Sequence, residues 1–209
     1  MSKKKKVQQL QQEKSVAQQN KKIHEVIVTT LSEQGVAHSA PMGILETKGS
    51  VIIQPFKPST TYNNLKRHRQ CTVNFTDDVR VFAGALTGRR DWPTLPCRQI
   101  DGRYLEQALA HVELEQEDFE DNDPRARYTG TVVADITHAP FRGFNRAQSA
   151  VIEAAVLTSR LNMLSVEKIQ QEISYLKIAI DKTAGEREWE AWGWLMTKIR
   201  ETGIVLNNE

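Results

Sequence analysis

The segment Gln54-Pro55-Phe56-Lys57-Pro58-Ser59-Thr60-Thr61-Tyr62-Asn63-Asn64-Leu65 carries the densest chemistry in the sequence. An apolar run stops at Pro55, Pro58 holds the chain extended, and three hydroxyl residues open a short helical pattern with Lys57 beside them. The free amides of a helix's first turn and Ser or Thr hydroxyls donate to phosphate oxygens, and a lysine adds a point charge. The segment is thus a candidate phosphate cradle. Spacing alone favours the plainer reading of a Ser/Thr helix cap. The second stretch is Val36-Ala37-His38-Ser39-Ala40-Pro41-Met42-Gly43. Small residues and glycine let a backbone approach a flat ligand, and Pro41 removes a ladder donor. A bulged strand in a core meets the same pattern.

Other groupings give less. Glu113, Glu115, Glu117, Asp118, Glu120, Asp121 and Asp123 lack the glycine and ligand order of a calcium loop and read as a solvated strand face and loop. The histidines at 24, 38, 68, 111 and 138 show no HExxH or paired spacing, and Cys71 and Cys97 are too far apart for a zinc motif, so no metal is expected. Ser39 and Ser59 lack a nucleophile elbow, and no Walker loop or dinucleotide fingerprint occurs. No residue is assigned as a catalytic acid, base or nucleophile.

The elements that must position these residues change in texture along the chain. Strand patterns over His24–Leu31, Ala37–Leu45, Ser50–Pro55 and Cys71–Thr76 are short, rich in Val, Ile, Thr and Phe, and bounded by turn residues, which indicates an antiparallel meander or barrel. A short capped helix is expected within Pro58–Arg69 and a helical turn over Val79–Leu86. Thr87–Gln99 reads as a loop, and Leu105–Phe119 and Arg127–Ile136 as two long strands. From Asn145 the period becomes helical. Asn145 caps a helix through Leu161, Ser165 caps a second with Ile169, Ile173, Leu176 and Ile180, and Trp189, Trp192, Met196 and Ile199 line a third. The stripe Trp189, Trp192, Trp194 is expected in a core or a dimer interface.

The chain's 209 residues, 39% hydrophobic and 26% charged, suit one globular unit or two small ones and exclude a collagen, a rod or a wholly disordered chain. No apolar run approaches the roughly 18 residues of a membrane helix, no h-region follows Met-Ser-Lys-Lys-Lys-Lys, and two cysteines fit a reducing, cytoplasmic setting. The net charge of +2 conceals a division: residues 1–22 carry seven lysines against Glu13, so the remainder is mildly acidic. With only Val7, Leu10, Val16 and Ala17 as apolar residues after Met1, that arm is expected to be disordered or frayed. Its lysines could meet nucleic acid, but no aromatic interleaves with them, and a solubilising terminus is the simpler account. The expected division is a tail over 1–22, a β-rich body over 23–144 and three helices over 145–209.

Taken in order, Ala-Pro-Met-Gly at 40–43, Pro-Phe-Lys-x-Ser-x-Thr-Tyr-x-Asn-Leu at 55–65, Val-Asn-Phe-Thr-Asp-Asp at 73–78, and Phe144-Asn145-Arg146-Ala147 with Ser159-Arg160-Leu161 resemble the FMN-binding split-barrel proteins. Within them the chain is most similar to an uncharacterised group common in methanogens and methylotrophs. The resemblance implies a six-stranded antiparallel Greek-key barrel with a C-terminal helical region, dimeric, with FMN in a groove at the subunit interface. It raises the cradle reading above the plain cap. By it, Ala40, Pro41, Met42 and Gly43 would offer backbone to the isoalloxazine edge. Phe56 and Lys57 would flank ribityl and phosphate, and Ser59, Thr60, Thr61 and Tyr62 would hold the phosphate. Asn74 would lie near the ring or ribityl chain, and Arg142 and Arg146 could reach the phosphate. His38, beside the implied flavin edge, is worth testing there, although a satisfied structural histidine is the simpler account. The implied function is a flavin-dependent oxidoreductase or flavin-reductase-like protein acting with an unknown small molecule. Two alternatives stand: a flavin carrier or sensor without turnover and, more weakly, a nucleic-acid-associated protein recruited by the tail.

Overall fold

A computed structural model describes residues 22–206, so the lysine-rich arm, save Lys22, lies outside the described residues. Six strands close an antiparallel barrel in the order β1-β2-β3-β8-β7-β4, formed by β1 (Ile23–Leu31), β2 (Ala37–Thr47), β3 (Ser50–Ile53), β8 (Arg127–Thr137), β7 (Ala110–Glu120) and β4 (Gln70–Phe75). The strand that follows the β1-β2-β3 meander returns to lie beside β1, which is the Greek-key arrangement. The expected β-barrel is therefore present. Closure leaves its strands without free edges.

The run Val26 to Leu31 is buried without alternation because both faces of β1 are covered. Val26 and Val28 point into the barrel with Ile44, Ile53, Leu65, Val73, Leu114 and Tyr128. Ile27 points outward against Val81, Phe82 and Leu105. Helix α1 (Thr60–Arg67) starts at Ser59, whose Oγ accepts the Tyr62 amide at 3.1 Å, and it sends Leu65 into the barrel.

Two expectations change. Thr87–Gln99 is not all loop, since β5 (Thr94–Pro96) pairs with β6 (Arg103–Leu105) in a two-stranded ribbon. Leu105–Phe119 is not one strand, because a turn separates β6 from β7, with the Ala108 amide donating to the Leu105 carbonyl. A three-residue strand holding Pro96 gives too short an alternation to show in sequence.

Helices α3 (Arg146–Thr158), α4 (Val166–Thr183) and α5 (Glu186–Arg200) follow the barrel. The Asn145 side chain caps α3 by accepting the Ala147 and Gln148 amides at 2.7 and 3.3 Å, and Ser165 caps α4. Their apolar stripes meet in one cluster holding Ala150, Ala154, Ile169, Ile173, Trp192 and Ile199. Helix α2 (Arg80–Thr87), which lies in the β-rich segment, contributes Ala83 to that cluster, and Val79 just before it adds another side chain. Of the tryptophan stripe, Trp192 is buried, while Trp189 is 45% exposed.

Candidate functional site

A groove of about 550 Å³ runs between the outer face of β1–β3 and helices α2 and α3. Its strand side is Pro41, Met42, Gly43, Ile52 and Gln54, and its helix side Phe82, Leu86, Ile152, Ala155, Val156, Ser159 and Arg160. Pro41 lies opposite Ile27 and Gly43 opposite Glu25 in the β1–β2 ladder. Gly43 permits a close approach, since a Cβ there would come within 2.9 Å of Ile23 Cγ2. At one end Phe56 bridges to Arg125, whose guanidinium lies 3.8 Å from the ring centroid. Arg160 lines the same groove. Among the described residues neither guanidinium has an ion-pair partner, and Glu25 is the groove's acidic side chain.

The structure does not gather the whole expected set there. Lys57 turns to Asp121 and Asp123, with Nζ–O distances of 2.7 and 2.9 Å. Lys66 joins Asp121 at 2.8 Å, and the Tyr62 hydroxyl donates to the same carboxylate at 2.9 Å. The Lys57 and Lys66 ammonium groups and the Tyr62 hydroxyl hold the Asp121 carboxyl well below the usual carboxylate range. Hydrogen bonds to Asp121 and Asp123 raise the Lys57 ammonium in turn. Lys57 and Tyr62, expected on a phosphate, are thus engaged by carboxylates of the chain itself, which neutralise the cradle's charge. Thr61 is buried beneath the helix start, and Ser59 is occupied as the α1 cap.

Asn74 is corrected outright. It is 0% exposed inside the β1–β4 seam. Its Nδ2 donates to the Ile27 carbonyl at 2.9 Å and to Thr29 Oγ1 at 3.1 Å, and its Oδ1 accepts the Leu105 amide at 2.8 Å. It ties three strands together and faces no groove. Arg142 and Arg146 are exposed, and neither lines the groove. His38 is half-buried and outside it too; burial, then the nearby Arg90 charge, lowers its pKa. A second cavity of about 570 Å³ lies beside Phe75, Asp77, Phe141, Phe144 and Asn145, and it shares Glu25 and Ile152 with the first.

Two family models match this chain: "Protein of unknown function (DUF447) N-terminal domain" over residues 24–139 and "Protein of unknown function (DUF447)" over 145–197. The chain belongs to the DUF447 family. An FMN-bound DUF447 protein from Methanosarcina mazei superposes with a TM-score of 0.72 at 20% identity, covering 86% of this chain and 96% of that one. An FMN-binding protein from Thermus thermophilus, solved with 1-cyclohex-2-enone, gives 0.47 at 16% identity over 54% of this chain and 69% of its own. A flavoredoxin from Methanosarcina acetivorans gives 0.48 at 11% identity over 56% and 69%. No curated protein matches significantly. The DUF447 fold is thus the split barrel with its helical appendage.

Sequence reasoning missed the basic groove residues of this DUF447 chain. Arg125 follows the acidic link with no ligand signal around it, and Arg160, two residues past α3, stood in the Ser159-Arg160-Leu161 match without being assigned to the phosphate. The bridge between Phe56 and residue 125 could not be read from residues 69 positions apart. Glu113 was missed as well: within an acidic run expected to face solvent, it is 0% exposed.

Proposed function

We propose that this chain is an FMN-binding flavoprotein that exchanges electrons or hydride with a small molecule. The groove carries the reading. It joins a backbone edge at Pro41–Gly43, the Phe56 ring and two guanidiniums in a volume within the range of about 300 to 1,000 Å³ usual for small-molecule sites. A flat ring with an anionic tail suits that lining, and the related Methanosarcina mazei protein is FMN-bound.

In this reading Pro41, Met42 and Gly43 face the ring, Ala40 continues the same edge, and Phe56 covers the ribityl chain. Arg125 and Arg160 take the phosphate, as bidentate donors suit an oxyanion. The Ser59–Thr61 helix start contributes only when Lys57 exchanges Asp121 for phosphate. FMN supplies the redox chemistry when bound; the chain binds it, orients it and excludes water. Ile23, Phe56, Phe141 and Phe144, the last 97% exposed, surround the two adjoining cavities, and a second copy of the chain would cover them. The homodimer implied by the family resemblance therefore belongs to the same proposal.

The test is a flavin titration of the purified protein followed by addition of NADH or NADPH. FMN is expected to bind more tightly than riboflavin by at least about tenfold, one charge-assisted contact contributing roughly 1.5 to 3 kcal/mol. Arg125→Ala should remove most of that preference. Equal affinity for the two flavins in the native chain overturns the phosphate assignment, and no flavin binding overturns the function. Reduction by nicotinamide separates an oxidoreductase from a carrier.

A further inference from the structure

On the far side of the barrel from the groove's strand edge, three elements converge on a polar cluster that the flavin reading does not use. His111 and Glu113 are two residues apart on β7, so their side chains share one face. Both are 1% exposed or less. Cys97 follows β5 and is half-buried, and His138 follows β8 at the surface. The Glu113 carboxylate accepts the amides of Arg98 at 2.8 Å, Gln99 at 2.7 Å and Ile100 at 3.2 Å. Burial alone would push the Glu113 carboxyl up, but these amides and His111 outweigh it and hold the group ionised. His111 Nε2 faces Glu113 Oε1 at 3.3 Å, and its Nδ1 meets His138 Nε2 at 2.8 Å. Tyr104 stacks on the His111 ring with centroids 3.9 Å apart and planes 5° from parallel.

We propose that Cys97, His111 and Glu113 form a divalent-metal site suited to zinc, with His138 as the outer hydrogen-bond partner of His111. Their ligand atoms, one from each residue, all lie within 4.8 Å of one another. Zinc bonds to nitrogen and oxygen of about 2.0 to 2.1 Å at tetrahedral angles set those two ligands about 3.3 Å apart. That is the separation of His111 Nε2 and Glu113 Oε1. A thiolate, an imidazole and a carboxylate form a donor set that favours zinc over magnesium or calcium. The surrounding supports are also those of a metal site: the carboxylate is fixed by amides, and the second imidazole nitrogen is held by a partner. Three protein ligands leave the fourth position to water, on the side where Cys97 is reachable.

The protons balance. Without metal, the carboxylate selects the His111 tautomer with a proton on Nε2, and His138 Nε2 donates to Nδ1. Metal takes Nε2, whose proton leaves; the His138 proton passes to His111 Nδ1, and His138 regains one from water at its own Nδ1. The two histidines thus lose none in sum. The Cys97 thiol loses its proton, which burial and the neighbouring Glu113 charge otherwise hold up to about 12. Binding therefore releases about one proton per ion.

The test is a cobalt(II) titration of the full, reduced chain, with its flavin left in place if present. One equivalent should produce the d–d bands of four-coordinate cobalt, to the red of flavin absorption, and zinc should abolish them. The bands should be lost in Cys97→Ala and kept in Cys71→Ala, because Cys71 is buried inside the barrel. His138→Ala should weaken cobalt affinity about 10- to 100-fold, as loss of an outer partner does. If Cys97→Ala fails to fold, zinc should instead protect Cys97 of the native chain from alkylation. Absence of cobalt bands with no zinc protection overturns the site, as do bands that persist in a folded Cys97→Ala protein.

Discussion

Two carboxylates, one within β7 and one just past its end, collect donors in opposite surroundings. Asp121, just past β7, draws Lys57, Lys66 and the Tyr62 hydroxyl with a side chain 38% exposed. Glu113, in the middle of β7 beside a register shift, draws three backbone amides and His111 with a side chain 0% exposed. Both are held ionised, yet by different means. Flexible charged side chains surround the first and can exchange it for another anion or for water. Fixed amides surround the second, and its full burial keeps bulk solvent from compensating their loss. The comparison teaches that a cluster of charges visible in sequence can be the replaceable one, while the anchor is spread over the backbone.

The largest effect is expected at the buried carboxylate. In Glu113→Gln the new NH2 must point at backbone N–H donors in either orientation of the amide. A loss of about 3 kcal/mol or more is expected, read as a fall in the midpoint of urea unfolding, since breaking a buried charged network costs that much. A change below about 1 kcal/mol would show that the loop after β5 holds itself.

An intermediate effect concerns acid. Burial lowers the His111 pKa below its ordinary value, only partly offset by the hydrogen bond to Glu113. Below about pH 6.5 the unfolded chain therefore takes up a proton that the folded chain resists. Stability should fall as pH drops from there towards the folded-state pKa, and Glu113, whose folded pKa is also lowered, extends the loss below about 4.3. Thermal melts at successive pH values check this. His111→Asn should flatten the first step, and an unchanged slope in that variant would assign the step to another histidine.

The smallest effect on stability is expected at the exposed cluster. Asp121→Asn should leave the melting temperature nearly unchanged, because exposed pairs contribute little. It also releases Lys57 from one carboxylate, so the preference for FMN over riboflavin should rise if the α1 start touches phosphate. If that preference stays constant while Arg125→Ala reduces it, the guanidiniums alone hold the anion.

The barrel was legible because its strands are short runs rich in Val, Ile, Thr and Phe bounded by turn residues, and the helices because Asn145 and Ser165 cap regular stripes. Pro41–Gly43 and Phe56 could be singled out because their residue types restrict the backbone or present a ring. Lys57 was equally conspicuous, but the carboxylates that engage it come from 64 and 66 positions further along, across a hydrogen-bonded bridge. Asn74 stands in a motif-like run, yet its amide is spent on Ile27, Thr29 and Leu105, partners set by strand register. His111 and Glu113 have the two-residue spacing of neighbours on one strand face, a signal present in the sequence. Helical ligand spacings do not reveal it, and Cys97 joins only through the β5–β6 ribbon.

The sharing of Val79 and Ala83 with the helical cluster bears on how the molecule melts. The family models divide this chain between residues 139 and 145, but the apolar interior does not divide there. A barrel separated from its appendage would present to water the face of α2 that α3 and α5 now cover. The helices would lose one wall of their own interior. The unit expected to fold is therefore larger than either matched segment, and denaturation of the intact chain should follow a single cooperative transition.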